Sequence, residues 1–360
     1  MAEPPARSII DLVDNLIGEA NRIGASDIHI DPTDDGLRVR YRVDGVMREV
    51  DRLPSTIKEE VIGRIKVLAA LRADEHQAAQ DGRFRSGQID IRVSIAPTYY
   101  GENAVLRLLT DTAEAYTLET LGFSAENQAK IIKAVNRGQG MILATGATGS
   151  GKTTTLYTLL KILNQPETAI ITIEDPIEYA IANIEQIQTN QRSGLNFANG
   201  LRSILRQDPD VIMVGEIRDV ETASIAINAA LTGHLLLSTL HTSDAATTLP
   251  RLLDMKVEPF LVASTVSLAI SQRLVRKICT NCQRQGCAEC ANSGYRGRVS
   301  INEVLVVDER VREAILRKAS ASDLRAVAIA GGMSTMLEDG EEKIATGLTS
   351  REEVLRVIHD

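Results

Sequence analysis

The segment Gly146-Ala147-Thr148-Gly149-Ser150-Gly151-Lys152-Thr153 constrains this chain more than any other. It fits G-x-x-x-x-G-K-[ST], it follows the apolar run Met141–Thr145, and it precedes a stretch with helical spacing. Glycines at these positions let backbone N–H groups turn inward around phosphate oxygens, and the start of a helix adds a favourable dipole. Lys152 can reach the β- and γ-phosphates of a nucleotide, Thr153 can hold Mg²⁺, and Thr154 completes the candidate binding positions. The strand-turn-helix context separates such a loop from an ordinary glycine-rich turn.

Around this loop the chain alternates. Ala169–Ile173, Val211–Val214 and His234–Thr239 are short apolar runs, with helical spacing over 125–136 and again after Lys152. Short buried runs alternating with helices predict a mainly parallel sheet with ligands at the strands' carboxyl ends. Before residue 110 the pattern differs. Helical spacing covers 8–23 and 55–72, Ser26–Ile30 and Leu37–Val43 alternate, a hairpin-like pair falls around Phe84 and Ile89–Ile95, and Ala104–Leu109 reads as a strand. The expected organisation is an N-terminal α+β domain over 1–110, a polar linker over 111–122, and a second domain over 123–360 that turns helical over 308–360.

Composition narrows the partners. The net charge of −8 disfavours extended contact with a phosphate backbone, and 4 Phe, 7 Tyr and no Trp leave few rings on which single-stranded bases could stack. Nucleic acid is not expected as a direct partner. No apolar stretch approaches the ~18 residues of a membrane span, and MAEPPARSII lacks a secretory layout, so a cytosolic chain is expected.

A phosphate-binding loop alone hydrolyses nothing. Val211–Val214 runs into Gly215 and Glu216, placing an acid where a carboxylate serves Mg²⁺, and Ala169–Ile173 runs into Glu174-Asp175-Pro176-Ile177-Glu178. Two acids at neighbouring strand ends can divide the labour, one beside the metal and one orienting or deprotonating water; acids after strands are also common as solvated loop residues. All four cysteines lie together, in Cys279-Thr280-Asn281-Cys282 and Cys287-Ala288-Glu289-Cys290. Four thiolates around one tetrahedral Zn²⁺ is the simplest reading, with an unmetallated reduced loop and an iron–sulfur site as alternatives.

Four segments in order, GATGSGKTTTLY (146–157), ITIEDPIEY (171–179), GLRSILRQDPDVIMVGEIRD (200–219) and TGHLLLSTLHT (232–242), resemble the Walker A, Asp box, Walker B and His box of the secretion-motor ATPases, the ring-forming enzymes of type II secretion and of type IV pilus assembly and retraction. The resemblance continues through SDIHIDP (26–32), YRVDG (41–45), QDGRF (80–84), RVSIAPTYYGENAVLRLL (92–109) and GYRGRVSINEVL (294–305). It implies an α/β fold in which an N-terminal α+β, PAS-like domain precedes a RecA-like P-loop ATPase domain with a small tetracysteine insertion at 273–300 and a helical C-terminus.

The resemblance also implies roles. Glu174 would activate water and Glu216 would stand on the Mg²⁺ side, with the division between them open. His234 and His241 would sense the γ-phosphate or couple subunits, although a histidine satisfied inside packing is the ordinary alternative for either alone. Arg202 and Arg206, four apart on one helix face, would point to the nucleotide or a neighbouring subunit; such a pair is otherwise a solvated face. Arg83, Arg92 and Arg107 match arginines brought to the γ-phosphate as the domains close, where delocalised cations suit a transferred phosphoryl group. Arg107 ranks below the other two because it equally suits a strand-end surface position.

Within the family the tetracysteine site marks assembly and secretion members rather than retraction ones. This chain departs from the pattern in having only Gln283–Gly286 between its knuckles, and in Ala147 where proline is frequent. It begins almost at SDIHIDP, which is read as the absence of the N-terminal modules that anchor many secretion ATPases. The expected protein is a homo-hexamer hydrolysing ATP with Mg²⁺, carrying structural Zn²⁺, and driving an inner-membrane platform protein that builds a type IV pilus or type II pseudopilus. It would be cytoplasmic and would meet the membrane only through partners. Pilus retraction is the alternative within the class, and a RecA-type nucleic-acid-binding ATPase the alternative outside it.

Overall fold

A computed structural model describes residues 8–109 and 116–358. Residues 111–115 of the expected linker and the first seven residues lie outside the described ones. The chain separates into two compact units, 1–114 together with 279–297, and 115–278 together with 298–360.

The first unit runs α1 (Ile9–Arg22), β1 (Ala25–Pro32), β2 (Gly36–Val43), β3 (Val46–Pro54), α2 (Lys58–Leu68), β4 (Gln80–Ser86), β5 (Ile89–Thr98) and β6 (Gly101–Leu109). Ser8 starts α1 by accepting the N–H of Asp11 on its hydroxyl, and the helix buries Val13, Leu16, Ile17 and Ala20 along one face. The strands form an antiparallel sheet in the order β3-β2-β1-β6-β5-β4. Alternation sends Ile28, Ile30, Val39, Tyr41, Val93 and Leu106 into one core with the helices, which leaves the opposite face polar. β3 is not anticipated from the sequence. It is an edge strand whose Glu49–Arg52 stretch is exposed, so no alternation marks it.

The second unit begins with α3 (Leu118–Leu121), α4 (Ala125–Val135), β7 (Gly140–Thr145), α5 (Lys152–Leu163), β8 (Ile170–Glu174) and β9 (Glu185–Gln188). It continues with α6 (Phe197–Ile204), β10 (Val211–Val214), α7 (Val220–Leu231), β11 (Leu235–Leu240), α8 (Thr248–Asp254), α9 (Pro259–Thr265), β12 (Val266–Ile278) and β13 (Tyr295–Val306). Four helices close it: α10 (Glu309–Leu316), α11 (Ala321–Ala330), α12 (Met336–Ala345) and α13 (Arg351–Ile358). The sheet order is β13-β12-β7-β11-β10-β8-β9, parallel from β12 through β9. Both faces are covered, which is why its strands read as unbroken apolar runs. Met141, Leu143, Ile212 and Val214 enter one core, whereas Ile142, Ala144, Val211 and Met213 enter the other.

This topology places the site. From β7 the chain crosses β11 and β10 to reach β8, and β12 later adds on the other side of β7. The carboxyl end of β7 is thus a switch point, where an open sheet of this kind leaves a crevice.

The long strands β12 and β13 are not anticipated either, and the segment between them behaves differently from an insertion of the second domain. Residues 279–297 pack within the first unit. There the N–H of Gly297 donates to Asp44 at 2.9 Å, and Arg48 donates to the carbonyls of Cys290 at 3.4 Å and Ala291 at 3.3 Å.

Candidate nucleotide and metal sites

The loop between β7 and α5 needs its glycines. Gly151 caps α5 at φ +92°, and at Gly146 (φ +133°) a side chain would meet the Gln272 carbonyl at 2.5 Å. Gln272 of β12, 1% exposed, braces the loop from behind: its Nε2 donates to the Ser150 carbonyl and its Oε1 accepts the Thr155 hydroxyl, both at 2.8 Å. Lys152 is 8% exposed and donates to the carbonyls of Gly146 at 2.9 Å and Ala147 at 3.0 Å. Burial lowers its pKa and the charge of Glu216 opposes that, so cation and carboxylate sense one another across the crevice. Thr153 is exposed in the first turn of α5.

The two acids have different surroundings. Glu216 follows β10, and its Oε2 receives Arg218 at 2.5 Å and meets His241 Nε2 at 3.2 Å. Hydroxyls of Ser238 and Thr239 donate to the carbonyls of Val214 and Gly215, each at 2.7 Å, and pin this strand end to β11. Glu174, 3% exposed at the end of β8, accepts Thr172 at 2.6 Å, Gln186 at 3.1 Å and the Tyr157 hydroxyl. Burial, then the neighbouring carboxylate, pushes the Tyr157 phenol well above its ordinary value, so Tyr157 remains a donor. Glu174 is a carboxylate held by three neighbours.

Not every candidate comes together. The six residues of β11 separate His234 from His241, and seven steps at ~3.3 Å per residue span roughly 23 Å. Only His241 reaches a site acid; the Nδ1 of His234 sits 3.0 Å from the Ala229 carbonyl at the other end of the strand. Arg202 is exposed and pairs with Glu221 at 2.7 Å, while Arg206 donates to the Arg202 carbonyl at 2.9 Å, the arrangement of a solvated face. In the first unit Arg83, Arg92 and Arg107 stand in one transverse row across β4, β5 and β6, next to Asp27 of β1. Asp27 engages Arg107 at 3.1 Å and Arg42 at 3.6 Å.

Sequence reasoning missed Gln272, Tyr157, Gln186 and Arg218. Tyr157 and Arg218 lie inside quoted motifs but match no charge or spacing rule, and Gln272 is a lone amide ending an apolar run. That break in the run is the one signal that could have exposed it.

The four cysteine Sγ atoms lie within 4.8 Å of one another. A tetrahedron with ~2.3 Å Zn–S bonds has S···S edges of about 3.8 Å. Cys279–Cys287 is 3.9 Å, while Cys282–Cys290 and Cys287–Cys290 are each 3.7 Å, so the four-residue spacer permits that geometry. Burial opposes ionisation of Cys290, but amide donors from Cys287 and Gly294 outweigh it and draw the thiol down to about 6, which suits a thiolate ligand. The donor set fits Zn²⁺.

The sequence profile described as type II/IV secretion system protein matches residues 3–356. This chain belongs to that family. It is 47% identical to the type II secretion system protein HxcR of Pseudomonas aeruginosa, covering 98% of this chain and 78% of that protein. It is 43% identical to the type IV pilus assembly ATPase PilB of Myxococcus xanthus, covering 96% and 67% respectively. Among solved structures, the Legionella pneumophila ATPase DotB superposes with a TM-score of 0.76 at 27% identity, over 99% of this chain and 98% of that one. The pilus retraction motor PilT with bound ADP gives 0.70 at 29% identity, over 96% of each chain. An N-terminal sheet unit followed by a nucleotide-binding unit is the α/β fold of these ATPases, and this chain carries a four-cysteine cluster and a helical C-terminus with it.

Proposed function

We propose that this chain is an ATPase that works as a homo-hexamer on an inner-membrane platform protein to assemble a type IV pilus or type II pseudopilus. The observation that carries the reading is the glycine loop at the switch point with a buried Lys152 opposed by the charge of Glu216, which follows β10, the second strand along from β7. The likeness to a type II secretion protein and to a pilus assembly ATPase, and the tetracysteine cluster, support assembly over retraction; the likeness to PilT keeps retraction as the second reading. No helix among the described residues is long and apolar enough to cross a membrane, and we place the protein in the cytoplasm, at the membrane through partners.

In this reading the amides of residues 147–153 receive the phosphates at the start of α5, and Lys152 exchanges two loop carbonyls for β- and γ-phosphate oxygens. Thr153 and Glu216 would hold Mg²⁺, which would supply charge neutralisation to the transferred group. Oxygen donors of this kind suit that ion. Glu174 orients or deprotonates water, and must loosen one of its three donors to do so. His241 steadies Glu216 and relays the γ-phosphate state. Arg83 and Arg92 are the cations this reading assigns to the developing charge on the transferred phosphoryl group. His234, Arg202 and Arg206 act on neighbouring subunits.

Steady-state phosphate release tests the assignment. Glu216→Ala and Glu174→Gln should keep ATP binding and lose turnover by about a hundredfold, the scale of removing one positioned acid–base group. Near-normal rates in both variants would refute it.

A further inference from the structure

Glu303 of β13 lies within GYRGRVSINEVL, is 1% exposed, and has no part in the chemistry above. Its carboxylate is a junction. Oε1 accepts Arg325 of α11 at 2.7 Å and the N–H of Met336, the first residue of α12, at 3.2 Å. Oε2 accepts the N–H of Ala245 at 3.4 Å. Arg325 also stands 3.8 Å from Asp244.

Asp244 and Ala245 belong to the turn between β11 and α8 that begins with His241. Within that turn Asp244 accepts the N–H of Thr247 at 2.8 Å, and the hydroxyls of Thr242 and Thr248 meet at 3.1 Å. His241 in turn meets Glu216 at 3.2 Å. Contacts, joined by the backbone of this one turn, therefore link α11 and α12, through Glu303, to the acid that follows β10.

We infer that Glu303 and Arg325 are a positioning pair, which holds the His241 turn against Glu216 and makes the C-terminal helices part of the support of the nucleotide site. The inference rests on the ATPase reading. A carboxylate this deeply buried is tolerated only with its charge paired and its oxygens satisfied, so three elements are fixed at hydrogen-bond distance from one group. Without Arg325 that charge is uncompensated. The longest of the remaining bonds, to Ala245, is the one that yields, and the turn carrying His241 moves. Arg325 is itself 36% exposed, so a partner acid that drew it away from Glu303 would be felt at Glu216.

The test uses the full chain with Arg325→Ala, Arg325→Lys and Glu303→Gln, following kcat, KM and hydrogen–deuterium exchange over residues 242–248. Coupling of this kind should lower kcat about tenfold in Arg325→Ala while KM moves less than about threefold. Exchange over 242–248 should accelerate without nucleotide, and Arg325→Lys should restore much of both. Should Arg325→Ala fail to fold, Glu303→Gln keeps the shape, removes the charge and should give the same pattern. A folded variant with wild-type kcat and unchanged exchange, a loss confined to KM, or a Lys variant as impaired as the Ala variant would each overturn the inference. If the wild-type chain releases no phosphate, the ATPase reading falls, and the nucleotide-free exchange data still judge the pair.

Discussion

Replacing Gln272 with alanine should damage the phosphate loop without touching any group that contacts phosphate. The side chain is 1% exposed and makes two bonds of 2.8 Å, one to the Ser150 carbonyl and one from the Thr155 hydroxyl. Truncation orphans a buried acceptor in the loop and a buried donor in the first turn of α5, at about 1–3 kcal/mol each, so a loss of about 3 kcal/mol is expected after partial relaxation. The loop should loosen before the sheet does. Urea unfolding of the second unit measures the stability term, and titration with Mg-ATP should show Kd raised about tenfold, since the lost preorganisation must be supplied on binding. Thr155→Val removes one of the same two bonds. The double variant should therefore lose less than the two single variants added together. Wild-type stability with Kd within about twofold would refute the idea that β12 shapes the loop through this amide.

Two further outcomes follow from other parts of the molecule. Purified under reducing conditions, the chain should carry one Zn²⁺, and Cys290→Ser or chelation should remove it and speed proteolysis of 279–297, whose ties to Asp44 and Arg48 then loosen; a metal-free protein would contradict the cluster's role. Glu353 of α13 is held down to about 2 from its ordinary 4.5, because Arg276 at 2.5 Å and Arg356 at 2.8 Å overcome a burial that would raise it. Its stabilisation is therefore complete above pH ~4.5 and lost as pH falls through ~2, worth about 3 kcal/mol. The stability gap between wild type and Glu353→Gln should shrink by that amount across the window, and a constant gap would count against it.

What could be read in advance tracks how strongly each element writes itself into side chains. The loop at 146–153 was legible because glycine, lysine and threonine at fixed spacing between a strand and a helix serve few other purposes. The two-sided burial of β7, β8, β10 and β11 left unbroken apolar runs. β3 left nothing comparable, because an exposed edge strand has no buried face to enforce alternation. The partition of the candidate residues was equally hidden. His234 and His241 flank one strand in sequence, yet a strand's length puts its ends far apart, and only the end shared with Glu216 faces the site. Arg202 and Arg206 have helical spacing, but Glu221, the acid with which Arg202 pairs, is 19 residues away in sequence. Tyr157, Gln186 and Gln272 are uncharged hydrogen-bonding side chains, which leave no charge pattern in the sequence. Burial of residues 279–297 with the first unit depends on Asp44 and Arg48, more than 240 residues away.

Calorimetric titration of Mg-ATP into wild type and Lys152→Ala addresses the central claim most directly. Charge-assisted bonds from one buried ammonium to phosphate are worth about 1.5–3 kcal/mol, so the variant should bind roughly ten- to a hundredfold more weakly. Binding by Lys152→Ala within about twofold of wild type would mean that the triphosphate is held somewhere other than the loop between β7 and α5.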